Sequence, residues 1–133
     1  MRIDFYEMSG RFRDPLDVAG ILVGKAWPAS RSIAVIGDAD QLEALNRHLW
    51  EQPKGRFLPH AIDDPLAPIV LTERPPDQTD LLINLKPDAS IPDGRYSRVL
   101  EIVPPDESLR KHLRRRWTEW SARGAELHHH VLK

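Results

Sequence analysis

The first fifty residues change hydrophobic period three times, and that rhythm limits the folds open to the chain more than any other feature. "RIDFYEM", residues 2–8, alternates apolar and polar positions as a strand does. "DPLDVAGILVGKAW" then repeats its apolar positions at helical spacing. Asp14 before Pro15 suits a helix start, because proline's missing N–H costs nothing in the first turn. "RSIAVIG" is a short β-branched run of the kind buried inside a parallel sheet, and "DADQLEALNRHLW" sets Leu42, Leu45 and Leu49 along one side of an amphipathic helix. A β-α-β-α order predicts a layered α/β protein with helices packed on a sheet.

The remainder extends the pattern through proline-rich loops. "EQPKGRFLPHAIDDPLAP", "ERPPDQTD" and "KPDASIPDG" hold most of the twelve prolines, and between them Ile69 to Leu71, Leu81 to Leu85 and Arg98 to Val103 read as buried strands. A final helix follows Pro104 and Pro105, with Asp106 and Glu107 in its first turn where the helix dipole favours negative charge. Gly124 ends it, and "AELHHHVL" closes an edge of the sheet. The expected architecture is one α/β domain over residues 1–133, three-layered and Rossmann-like. Its sheet is mostly parallel or mixed, with five to six strands and helices on both faces. A hydrophobic fraction of 41% and a charged fraction of 29% fit a folded soluble chain. There is no run of about 18 apolar residues, and the start lacks the basic-then-apolar order of a signal peptide, so the expected location is cytoplasmic, away from membranes. Without cysteine there is neither a disulfide framework nor a thiolate metal site.

Three stretches of the sequence resemble catalytic or ligand-binding motifs. "VIGDADQ" puts Gly37, Asp38 and Asp40 between a strand and a helix, where doubly wound folds bind nucleotides, but no glycine-rich phosphate loop accompanies them. A helix cap is the simpler role for Asp38 or Asp40. His60 lies near Asp63 and Asp64, as a general base would, yet no serine or cysteine sits in a recognisable nucleophile elbow. On a strand, at most two of His128, His129 and His130 converge, so they read as polar blunting of an edge rather than as a metal site. The sequence thus predicts no catalytic side chain, metal or cofactor. The competing reading is a small nucleotide-binding or hydrolytic α/β domain using the Gly37–Asp38 turn and His60.

Charge is distributed unevenly. Asp106 to Gly124 holds six Lys and Arg against three acids, while the rest of the chain holds thirteen against seventeen. On a helical wheel of about 100° per residue, Leu109, Leu113 and Trp120 fall within about 40° of one another and face the sheet. Trp117 borders that stripe, Arg110 and Arg114 come next, and Arg116 and Arg123 flank the other side. One reading makes Trp117 core and the arginines a solvated face. Another makes a half-exposed indole and guanidiniums a pocket for a ligand both apolar and anionic, such as a peptide carboxylate beside a bulky side chain. Direct nucleic-acid binding is a third, although an isoelectric point near 6.6 lacks the usual basic footprint.

"LWEQPKGRFLPH", "DLLINL" and "EIVPPDESLRKHLRRRWTEW", in this order and spacing, resemble the chi subunit of bacterial DNA polymerase III holoenzyme, the HolC family. The likeness runs more weakly through "FYEM" and "RSIAVIGDADQLEALNRHLW". It implies a non-catalytic accessory protein that joins the clamp-loader assembly to single-stranded-DNA-binding protein (SSB), and so reaches nucleic acid indirectly. Carried over, the site for the acidic, phenylalanine-terminated SSB tail is Val103, Arg110, Arg114 and Trp117, the last where the family commonly has tyrosine. Thr118 and Ser121 stand where relatives carry further basic residues. The surface for the psi subunit, or for a helicase partner, corresponds to Trp50, Phe57, Pro59 and His60.

Overall fold

The computed structural model describes residues 1–10, 12–27, 29–51, 58–86, 91–104 and 110–132. In chain order the elements are β1 (Arg2–Met8), α1 (Pro15–Ala26), β2 (Ile33–Ile36), α2 (Ala39–Glu51), β3 (His60–Ile62), β4 (Ile69–Thr72), β5 (Gln78–Asn84), β6 (Arg95–Val103), α3 (Arg110–Ala122) and β7 (Glu126–Leu132). The strands form one sheet of order β3-β4-β2-β5-β6-β1-β7, and every neighbouring pair is parallel. This confirms the α/β class and corrects the expected strand number from five or six to seven. The additional strand, β3, lies inside a proline-rich segment whose three ladder residues carry too little pattern to register as a strand.

Local chemistry sets the element boundaries. Asp14 caps α1 by accepting the Leu16 amide at 2.9 Å, with Pro15 in the first turn. Asp38 and Gln41 form a reciprocal capping box at the start of α2, each side chain accepting the other's backbone N–H at 2.9 Å. Gly124, at φ 78°, takes the left-handed conformation that turns α3 into β7. The start expected for α3, around Asp106 and Glu107, lies outside the described residues.

Parallel strands require crossovers, and these place helices on both faces. α1 and α2 bury Val18, Val23, Leu42, Leu45 and Leu49 against Val35, Leu71, Ile83, Leu100 and Ile102. The opposite face carries Ile3, Phe5, Leu82, Val99 and Val103, and there Trp120 of α3 is fully buried. Alternation along β6 divides its side chains between the two layers.

A fully buried carboxylate helps tie edge strand β7 to the sheet. Asp4 of β1 has no solvent exposure and accepts Nε of Arg98 from β6 at 2.7 Å, Nε2 of His130 from β7 at 2.8 Å and the Arg2 guanidinium at 3.1 Å. The His130 ring also stacks on Tyr6, 4.8 Å between centroids. Burial opposes ionisation of Asp4, but the hydrogen bonds from Arg98, Arg2 and His130 outweigh it and lower the pKa from 3.8 to about 2. Its ionisation therefore stabilises the fold fully above the unfolded-state value, and that contribution is lost as pH falls toward the folded-state value. Asp4→Asn should cost roughly 2 kcal/mol at neutral pH, with the gap to wild type closing between about pH 4 and about pH 2 in urea unfolding curves.

Candidate functional site

α3 presents a notch at its meeting with β7. Among the described residues it is lined by Arg114, Trp117, Thr118 and His129 and encloses about 420 Å³. Trp117 is 37% exposed, and its ring lies 5.2 Å from that of Phe5 on β1, so one part of the indole packs on the sheet while the rest faces solvent. Arg114 is exposed and makes no ion pair among the described residues, whereas Arg115 pairs with Glu119 at 3.3 Å along the helix. The Thr118 hydroxyl donates to the Arg114 carbonyl at 3.1 Å. His129 lies beside Phe5 in the β1–β7 register, and its Nε2 is 3.1 Å from Glu7 Oε2. An apolar indole and an open guanidinium thus share one concavity, which suits a ligand with a hydrophobic group next to an anion.

Two of the four residues assigned to this pocket meet there, Arg114 and Trp117. Val103 is 5% exposed and packs in the core on the α3 face; it is absent from the described lining, and β7 supplies the wall instead. The side chain of Arg110 lies outside what is described. His129 was missed because its place in the wall depends on β7 pairing with β1, a contact between residues more than a hundred positions apart.

The second assigned surface lies at the β3 edge. Trp50, at the end of α2, is 61% exposed and tilts against His60 at a centroid distance of 4.8 Å. His60 is buried, its Nδ1 donating to the Leu58 carbonyl at 2.6 Å, and Pro59 beside it is half-buried. Phe57 falls outside the described residues. The competing catalytic assignment fails on placement. His60 aligns through Ile69 with Ile33 at the N-terminal end of the strands, while Gly37 follows Ile36 at the C-terminal end, roughly 16 Å away from strand spacings. Asp38 is occupied as the α2 cap. No group of three or more metal-ligating side chains occurs among the described residues.

A family model described as DNA polymerase III chi subunit, HolC, matches residues 1–128. DNA polymerase III subunit chi of Pseudomonas aeruginosa is 32% identical over 139 aligned positions, covering 98% of this chain and 96% of that protein. The protein of the same description from Haemophilus influenzae is 25% identical over 121 positions, covering 84% and 83%. The chain belongs to the DNA polymerase III chi-subunit family.

In this chi-family chain the orientation of α3 is set by a buried polar cluster. Glu101 of β6 and Arg116 of α3 are each almost wholly buried and pair at 2.7 Å. The Glu101 carboxylate also accepts from Asn84 Nδ2 and Trp120 Nε1, each at 3.2 Å, and Arg116 donates further to the Lys86 carbonyl. Burial pushes the Glu101 carboxyl above its ordinary range, opposed chiefly by the Arg116 guanidinium. The sequence did carry a signal for this pair: a single acid inside the apolar run "RVLEIV" and an arginine bordering the apolar stripe of the last helix. Arg116→Met should cost about 3–5 kcal/mol in chemical denaturation, because Glu101 loses its counter-ion without gaining water. Glu101→Met combined with Arg116→Met should cost less than that single change.

Proposed function

We propose that the chain serves as the non-catalytic chi subunit of DNA polymerase III holoenzyme, a single chi-like domain over residues 1–133. In this role it links the clamp-loader complex, through psi, to the C-terminal tail of SSB during DNA replication. The observation that carries the reading is the half-exposed Trp117 beside the open Arg114 in the α3 notch. The indole accommodates a terminal aromatic side chain, and the guanidinium can meet a carboxylate in bidentate fashion. Val103 supports the site from within the core, and Arg110 adds a second cation at the start of α3.

Trp50, Phe57, Pro59 and His60 form the surface for psi or for a helicase partner at the same place. An exposed tryptophan backed by a buried ring resembles the rigid aromatic anchors that dominate protein interfaces. Nucleic acid is reached through SSB and not directly, in keeping with a net charge of −1 and a basic face confined to one helix. The location is cytoplasmic. Family membership supports this, and no helix among the described residues is long and apolar enough to cross a membrane.

The reading is tested by titrating an acidic peptide that ends in phenylalanine with a free carboxylate. Arg114→Ala should weaken binding by roughly 1–3 kcal/mol, and wild-type affinity should fall as salt rises. Unchanged affinity in that variant would remove the notch as the tail site.

A further inference from the structure

The wall of the notch opposite Arg114 is formed by β7, and His129 is the titratable side chain that β7 contributes to it. Its Nε2 faces Glu7 Oε2 at 3.1 Å, and among the described residues its Nδ1 makes no hydrogen bond. A neutral ring donating Nε2–H to Glu7 keeps a lone pair on Nδ1, whereas the protonated ring has N–H on both nitrogens. Thr118 adds no competing donor, since its hydroxyl is committed to the Arg114 carbonyl. An anion seated beside Trp117 therefore meets two candidate donors, the Arg114 guanidinium and the His129 ring.

We propose that His129, held by Glu7, is a second anion-recognising side chain of the α3 notch. It engages a carboxylate of an acidic chain end as the imidazolium and not as the neutral ring. This rests on the reading of the notch as the tail site.

Among the described residues, two charged groups adjoin the ring. From β1 it faces Glu7, and from α3 it faces Arg114. Glu101, two strands away on the same face, is neutralised by Arg116. His128 and His130 point to the other face of β7, toward Glu126 and Asp4. Protonation of one ring thus adds a positive charge and a second N–H donor to this wall. A ligand carrying carboxylates gains from the new N–H and from the added charge.

The same phenylalanine-terminated acidic peptide, titrated at constant ionic strength, provides the test, since its carboxylates stay ionised across the imidazole range. Wild-type binding should be about three- to tenfold tighter near pH 6 than near pH 8. In His129→Ala and His129→Gln that ratio should fall to less than about twofold, with melting temperature checked at both pH values. Wild-type affinity that does not change with pH, alongside a clear loss in Arg114→Ala, would overturn the role of His129 and leave the tail site standing. So would a pH ratio in both His129 variants equal to that of wild type. Failure of the wild-type chain to bind the peptide at either pH would overturn the tail site itself, and His129's role with it.

Discussion

The buried carboxylate of Glu101 decides how the last helix sits. A carboxylate taken out of water costs several kcal/mol unless donors surround it, and among the described residues the sheet around it supplies the Asn84 amide alone. α3 must provide the rest, so it docks with Arg116 turned inward to meet both Glu101 oxygens. The other positions follow from helix geometry. Trp120, one turn on, lands on the same carboxylate through its indole N–H. Trp117, about 100° round the helix from Arg116, comes to the margin of the contact, and Arg114, about 160° away, turns outward. The notch is the consequence of satisfying one acid.

The two faces of the sheet are therefore held by different physics. Beneath α1 and α2 the contact is aliphatic and continuous, with leucine, isoleucine and valine from four strands. Burial of that kind fixes a layer without fixing the rotation of any single helix closely. The α3 layer carries hydrogen-bonded pairs with defined directions, including Arg123, which donates to the Pro92 carbonyl at 2.8 Å and lies over the Trp120 ring. A helix that must present an indole and a guanidinium at set positions is better served by directional contacts. Asp4 plays a corresponding part on the opposite face, where its partners come from β6 and β7 and secure the edge strand that completes the notch.

Elements with strong local signals could be read from sequence alone. β1, α1 and α2 follow their hydrophobic periods and caps closely, because Asp14–Pro15 and the Asp38–Gln41 pair act within a few residues of where they stand. β3 escaped because three residues cannot display a period. The places of Arg116 and His129 escaped for a different reason. A helical wheel ranks positions by hydrophobicity, so it leaves an arginine on the rim unless its buried acid is known. Nor can it place a histidine from another strand beside the helix. Trp117 and Arg114 were recoverable since both lie on one helix at a spacing the wheel resolves. Val103 packs in the core under α3, a burial that the strand pattern of β6 already suggests.

On the proposed reading, strand order bears on how the chain would join two partners. The α3 notch uses β7 and the Trp50–His60 surface adjoins β3, and these are the two edges of the seven-stranded sheet. Six strand spacings separate them, roughly 29 Å before twist is considered. The helices that carry the two surfaces, α2 and α3, also pack on opposite faces. Ligands of ordinary size at the two places do not collide, and a charge introduced at one is several Debye lengths from the other at physiological salt. Occupancy of one surface then leaves the other's affinity unchanged unless the sheet itself deforms, and a fully parallel sheet covered on both faces is a stiff connection. On the proposed adaptor reading, a chain of this build works by tethering: it raises the local concentration of one partner near the other, and its effect depends on both surfaces being filled at once and not on communication between them.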